Sequence, residues 1–322
     1  MSLIAAEHFD LDGGIAEACV DILRERGIAT LDAIPHNVIR HSLLEHVRTQ
    51  LGQAGAAATL ADDRRGFVTV AFPTQASLDL QTRIVLHAAM FSLVSSALFE
   101  GSRDEDGVPF DLYKSTTENT GLMQKAGVRF YSPDQKLGYH NDVYFNLDHY
   151  YVPHYVSLVN LFIGYDEPGN FYYINNHIWS RFEDVFARGV GLRFRFRPTP
   201  SLLESDLEKY RGDVAAPPEP KWTEIHAFWE DDGDRKYAFC NGELCEIDDD
   251  QRGVIDDMKS SLLSNENKFF TRQEVGKIMV FRNDVGYHSR DIFKEQHVFE
   301  GVTRLFLRAV SRQSFNIPTP AE

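Results

Sequence analysis

Cysteine is scarce in this 322-residue chain, which holds only Cys19, Cys240 and Cys245. An odd, low count provides neither a disulfide framework nor a four-cysteine zinc site, and it fits a reducing compartment, so a cytoplasmic protein is expected. Positive charge is also short. Lys and Arg total 33 against 48 Asp and Glu, for a net charge of −15. Such a chain repels phosphate backbones and anionic lipid, so neither nucleic acid nor a membrane is an expected partner. Long apolar runs are missing too. The richest, residues 84–99, is interrupted by His87, Ser92, Ser95 and Ser96. It falls below the ~18–20 residues of a membrane span and reads as a buried core helix. The opening MSLIAAEHFDLDGG carries acids and no basic start, unlike a secretion signal. No internal repeat or low-complexity block is evident.

What is present is an ordinary globular composition, 43% hydrophobic and 25% charged, able to form a sizeable core. Residues 14–27 predict an amphipathic helix with Ile15, Cys19, Ile22 and Leu23 on one face and Gly27 as its stop. Helices are also expected over 37–53, 75–99 and 248–264, and FVTVAF at 67–72 reads as a strand closed by Pro73. Residues 100–136 are polar, with Gly101, Gly107, Pro109 and Gly121, and read as a long connection of the kind that forms lids. From 137 the texture changes to short β-branched and aromatic runs: YHNDVYF, YVSLVNLFIGY, FYYI, RFRF, EIHAFW, KYAFC, KIMVF and RLFLRAV. Turn signals DEPGN and DDGDR separate some of them. Residues 198–221 are rich in Pro and charge and read as a surface insertion. The expected fold class is α+β in a single domain, 1–322, with a mainly helical part over 1–130 and a β-sandwich or jelly-roll core over 131–312.

Within that core, His140 and Asp142 are two residues apart at a strand-like run, so on an extended chain they share a face. A third ligand must come from elsewhere. His288, 146 residues after Asp142, follows the strong strand signal at 277–281 and a short polar turn. Two imidazoles and one carboxylate on one face of an ion leave further positions open, the arrangement of non-haem iron(II) oxygenases. A second His-x-Asp pair, His8 and Asp10, lies in a stretch expected to be frayed, with no strand to hold it and no partner placed like His288. His149, His154, His177 and His226 are further alternatives, each read as structural ahead of ligating.

In order, LGYHND at 137–142, GKIMVFRNDVGYHSR at 276–290 and GVTRLFLRAV at 301–310, with DRKYAF at 234–239 as a weaker fourth feature, resemble the taurine dioxygenase and clavaminate synthase-like family of 2-oxoglutarate oxygenases. The match spans roughly residues 130–312, and earlier residues agree only in general layout. The resemblance implies a double-stranded β-helix (jelly-roll) core flanked by helices, with iron(II) held by His140, Asp142 and His288. It also implies Arg304 on the distal carboxylate of 2-oxoglutarate and Arg308 on an anionic group of the primary substrate. The implied activity is hydroxylation of a small anionic molecule, such as an amino acid or its derivative, using iron(II), 2-oxoglutarate and O2. The carboxylate at position 142 argues against halogenation, since related halogenases have a small residue there, and leaves hydroxylation, desaturation or another oxidative outcome open. One departure stands out: relatives often place a Thr after the second core strand to help hold 2-oxoglutarate, whereas the corresponding stretch here is PGNFY at 168–172.

Arginine suits such a carboxylate because its planar fork binds both oxygens. Arg304, Phe306 and Arg308 share one strand face, where two like charges call for two anions. The plainer reading is a pair of arginines bridged to Asp or Glu. Tyr139, Tyr144, Phe145, Tyr150, Tyr151 and Tyr155 read mostly as core, with one or two lining a pocket. Glu100, Asp104, Glu105 and Asp106 read as solvated, with a substrate amine as the alternative. Two other functions stay open at this level: a zinc-dependent hydrolase, and a non-catalytic jelly-roll binding protein. Self-association into a homo-oligomer is also open.

Overall fold

The computed structural model describes residues 2–73, 77–103, 109–117, 133–146, 149–196, 222–240, 244–299 and 301–319. The expected insertion over 198–221, and the lid segments 104–108 and 118–132, lie outside the described residues.

Eleven strands among the described residues build two main sheets. In chain order they are β1 (Ser2–Ala5), β2 (Glu7–Asp10), β3 (Phe67–Ala71), β4 (Asp111–Thr116), β5 (Leu137–His140) and β6 (Tyr155–Ile163). They continue with β7 (Asn170–Asn175), β8 (Asn267–Arg272), β9 (Ile278–Arg282), β10 (Gly286–Arg290) and β11 (Val302–Val310). A five-stranded sheet runs β1-β8-β7-β10-β5, and a six-stranded sheet runs β2-β3-β9-β6-β11-β4. Only the β1–β8 and β2–β3 pairs in these sheets are parallel.

Period-two alternation explains how the layers assemble. On β9, Ile278 and Val280 join a cluster with the N-terminal helices, whereas Met279 and Phe281 pack with Phe171 and Tyr173 of β7 between the sheets. Both faces of β9 are therefore buried, which is why KIMVF reads as an unbroken apolar run. Each such side chain contributes roughly 1.5–3 kcal/mol relative to exposure. Three helices cover the six-stranded sheet: α1 (Gly13–Glu25), α2 (His36–Ala54) and, after the short α3 (Ala56–Ala61), the long α4 (Leu80–Leu98). In α4 every side chain from Val85 to Ser96 is buried, and Ser95 Oγ meets Ser157 Oγ of β6 at 2.7 Å. No helix among the described residues is long and apolar enough to cross a membrane. On the outer side of the five-stranded sheet, α5 (Phe182–Gly189) and α6 (Asp249–Ser264) form a second cluster with Ile174 and Tyr287.

Helix ends follow local chemistry. Asp12 caps α1 by accepting from the Gly14 amide, and Gly27, with φ of 62°, turns the chain out of it. The expected helix over 75–99 begins only at Leu80, because Asp79 accepts the Thr82 amide at 3.0 Å and sets the first turn. Two expectations need correction. The supposed connection at 100–136 contains strand β4, paired with β11, whose short polar DLYKST lacks an apolar signature. Residues 7–10, expected to fray, form β2 against β3, with His8 Nδ1 2.8 Å from Thr69 Oγ1.

Gly286 opens β10 because nothing larger fits: a Cβ there would lie 2.3 Å from Cε2 of the buried Tyr173 ring. The Tyr173 hydroxyl is anchored on the Arg282 carbonyl at 2.8 Å, so the ring has little room to retreat. Gly286→Ala is expected to destabilise the protein by about 1–3 kcal/mol through overpacking. An unchanged urea unfolding midpoint would contradict this packing.

Candidate metal centre

Strands β5 and β10 are adjacent and antiparallel, and their register sets His140 directly opposite His288. The two imidazole centroids are 4.1 Å apart. Asp142 lies just past the end of β5, with Oδ1 3.6 Å from His140 Nε2 and 3.9 Å from His288 Nε2. The three ligand atoms all fall within 4.8 Å of one another. Among the described residues this is the one group of three such side chains that could share an ion.

The surroundings prepare each side chain for a metal. His140 Nδ1 meets the Gly138 carbonyl at 2.8 Å, which places the ring hydrogen there and leaves Nε2 as the lone-pair atom. His288 rests on an apolar floor, 4.6 Å from the Phe281 ring and stacked on Phe171 at 5.5 Å. Burial pushes both imidazoles below their ordinary pKa range, and for His288 the neighbouring His140 adds to the effect. Both are thereby kept in the neutral form that a metal requires. Burial alone would raise the Asp142 carboxyl, but its neighbours, the Arg308 cation first among them, outweigh it and hold the group ionised.

Two fully buried asparagines fix the segment between the ligands. Asn283, in the turn between β9 and β10, accepts from the Asp142 amide at 2.7 Å. Its Nδ2 donates to the carbonyls of Asp142 (2.9 Å) and Pro153 (3.1 Å). Asn141 accepts from the Phe239 amide at 2.7 Å and donates to the Tyr237 carbonyl at 3.2 Å, while its own amide donates to the Phe239 carbonyl at 3.0 Å. Where β5 loses its strand partner, these amides supply the bonds that a ladder would have made.

Arg304, Phe306 and Arg308 do share one face of β11. The Arg308 guanidinium stands over the rings of Tyr113 and Tyr144, 4.8 and 4.9 Å from their centres. It donates to the Tyr113 hydroxyl and lies 3.3 Å from Asp142 Oδ2. The bridge to an acid that the plainer reading expected thus holds for Arg308, with the acid being Asp142 itself. Arg304 is different. Its Nε donates to Asn160 Oδ1 at 2.9 Å, and its guanidinium lies 4.2 Å from the Phe306 ring centre and 4.8 Å from that of Phe293. Among the described residues no carboxylate comes within ion-pair distance of it. Burial, with the nearby Arg290 cation adding to it, pushes Arg304 well below the ordinary arginine range. Arg290 is itself lowered to about 10 by burial, and it donates to the Gln135 carbonyl at 2.8 Å.

No family model matches the chain, and no curated protein matches it in sequence. Solved structures do. Asparagine oxygenase (AsnO) aligns with a TM-score of 0.57 at 16% identity, over 94% of this chain and 92% of that one. This is the fold of a non-haem iron oxygenase. The same asparagine oxygenase with Fe(II), 2S,3S-3-hydroxyasparagine and succinate gives 0.55 at 15% identity, over 94% and 93% of the two chains. The non-haem iron oxygenase OrfP with iron and α-ketoglutaric acid gives 0.54 at 15% identity, over 95% and 94%.

All five site residues named from the sequence are placed in or beside this fold's interior: His140, Asp142 and His288 together, Arg308 on Asp142, and Arg304 deeper along β11. The PGNFY stretch serves neither arginine; the Asn170 amide and the Tyr172 hydroxyl both bond Asp291 Oδ2 at 3.0 Å. Glu100 pairs with Arg312 at 3.1 Å, while Asp104, Glu105 and Asp106 lie outside the described residues. Asn141, Asn283, Asn160, Arg290 and Tyr113 were not singled out beforehand. Asn141 and Asn283 sat inside the quoted motifs, but Tyr113 had no signal, because its strand was hidden in a polar stretch. Removing the Asn283 amide frees the Asp142 backbone. Asn283→Ala is expected to weaken binding of a divalent ion such as Co(II) by about 10–100-fold; a titration within twofold of the parent would refute the role.

Proposed function

We propose that the chain is an Fe(II)- and 2-oxoglutarate-dependent oxygenase that hydroxylates a small anionic substrate, such as an amino acid or a derivative. The observation that carries this reading is the pairing of two features: a buried two-histidine, one-carboxylate cluster and, on the other main sheet, a buried arginine with no acidic partner among the described residues. The donor set fits iron(II), and the isolated Arg304 cation fits the far carboxylate of 2-oxoglutarate. A zinc hydrolase built on the same ligands gives Arg304 no task, and a binding protein needs no neutral imidazole pair.

In this reading His140, Asp142 and His288 hold the metal, and Arg304 holds the cosubstrate. Iron(II), 2-oxoglutarate and O2 supply the oxidising chemistry when bound. The chain contributes placement. Asn141 and Asn283 keep the Asp142 segment still, Phe171 and Phe281 exclude water beneath His288, and Arg308 occupies the second Asp142 oxygen so that the first faces the imidazoles. Arg308, between Tyr113 and Tyr144, is also our candidate for meeting a substrate anion. The amino-acid substrate class is supported by the solved neighbours, whose bound molecules include hydroxyasparagine and, in OrfP, (3S)-hydroxy-L-Arg. We further propose that β4-β11-β6-β9 and β5-β10-β7-β8 are the two four-stranded halves of a jelly roll within one oxygenase domain.

Anaerobic addition of iron(II) and 2-oxoglutarate is expected to produce a weak visible charge-transfer band, and a colourless mixture would sink the proposal. His288→Ala is expected to abolish succinate formation from 2-oxoglutarate. Arg304→Ala should raise the 2-oxoglutarate requirement roughly 30-fold or more, the scale of losing one partner of a buried charge pair. Arg308→Ala should mainly weaken the primary substrate, as steady-state kinetics would read; the reverse pattern would mean the two arginines exchange roles.

A further inference from the structure

Asn160 lies on β6, opposite Phe306 of β11, and is fully buried. Its backbone carbonyl accepts from the Gly276 amide at 2.9 Å, so its main chain is satisfied on that side. Its side chain faces Arg304. Because arginine Nε–H can only donate, the Asn160 atom 2.9 Å away must be the carbonyl oxygen, and the orientation of the amide is settled by chemistry. Nδ2 is left with its hydrogens and no acceptor among the described residues, shielded from solvent. Buried amide donors in native proteins are nearly always satisfied, so a buried orphan beside a poorly compensated cation points to a missing acceptor.

Beside this donor sits the Arg304 guanidinium, also buried, with no carboxylate partner among the described residues. One group answers both needs: a carboxylate accepts from an amide N–H and pairs with a guanidinium at once. The Thr that relatives use for this purpose has no counterpart in PGNFY, where Phe171 stacks on His288 and the neighbouring polar groups bond Asp291.

We propose that Asn160 Nδ2 and Arg304 together clamp the distal carboxylate of 2-oxoglutarate, with Asn160 replacing the missing threonine from a different strand. The inference rests on the oxygenase reading above and adds a residue to it. Asn160 then has two tasks. Its oxygen aims the arginine, and its nitrogen selects a dicarboxylic over a monocarboxylic 2-oxo acid.

The test is an anaerobic titration of the iron(II)-loaded protein, followed by the charge-transfer band. Two ligands are compared: 2-oxoglutarate, and 2-oxobutanoate, which has the same chelating end but no distal carboxylate. Asn160→Asp keeps the shape and the acceptor for Arg304 but sets a negative charge where the carboxylate would bind. It is expected to weaken 2-oxoglutarate about 100-fold or more, leave 2-oxobutanoate within threefold, and raise the thermal midpoint of the metal-free protein by neutralising Arg304. Asn160→Ala is expected to weaken 2-oxoglutarate by about tenfold with the same selectivity. Unchanged 2-oxoglutarate affinity in both variants, or equal weakening of both acids, would overturn the clamp while leaving the oxygenase reading intact. A parent protein that gives no band with either acid would overturn the oxygenase reading, and the clamp with it.

Discussion

The register between β5 and β10 is the constraint on which the site depends. It places His140 and His288 opposite each other on neighbouring strands, and a slip of one residue would turn one imidazole out of the interior. That register is held by features on either side of the metal cluster. Tyr287 packs outward into the cluster with α5 and α6, His288 points inward onto Phe171 and Phe281, and Gly286 yields space to Tyr173. The apolar layers therefore fix which face each histidine occupies, and the geometry of the candidate centre follows from packing.

Beyond β5 the chain leaves the sheet, and a carboxylate there would be free to wander. Two buried amides prevent it. Asn141 and Asn283 bond the backbone of 141–142 to the 237–239 segment and to the turn before β10, at separations of roughly a hundred residues or more. Such side chains are costly to bury unless satisfied, and every polar atom of the Asn283 amide is satisfied. Rigid backbone around a ligand pre-organises it, which lowers the cost of drawing an ion in.

Three arginines lie within this acidic protein near the candidate centre. Arg290, Arg304 and Arg308 are all buried or nearly so, and burial lowers the first two well away from their usual range. Arg290 donates to main-chain carbonyls, and Arg308 meets Asp142, Tyr113 and the Tyr144 ring. Arg304 alone of the three has a neutral amide and two aromatic rings as its described partners. A buried cation with an amide and ring faces as its described partners is poorly compensated, which is why Arg304 is proposed to meet an anionic ligand.

Much of this was legible beforehand. The helices at 14–27, 37–53 and 248–264, the KIMVF strand and the shared face of Arg304, Phe306 and Arg308 all follow from periodicity, a property of neighbouring residues. His140 and Asp142 were visible through their two-residue spacing, and His288 through the strand signal that precedes it. Strands β4 and β8 were not, because DLYKST and NKFFTR owe their extended form to the strands beside them rather than to their own pattern. Nor could sequence reveal that Arg308 would face Asp142 or that Arg304 would face Asn160. Those partners lie 166 and 144 residues away, and only the packing of the two sheets brings them together. Local pattern determined which groups the protein carries; the tertiary fold decided which of them meet, because a hydrogen bond or ion pair depends on distance in space and leaves no trace in the spacing along the chain.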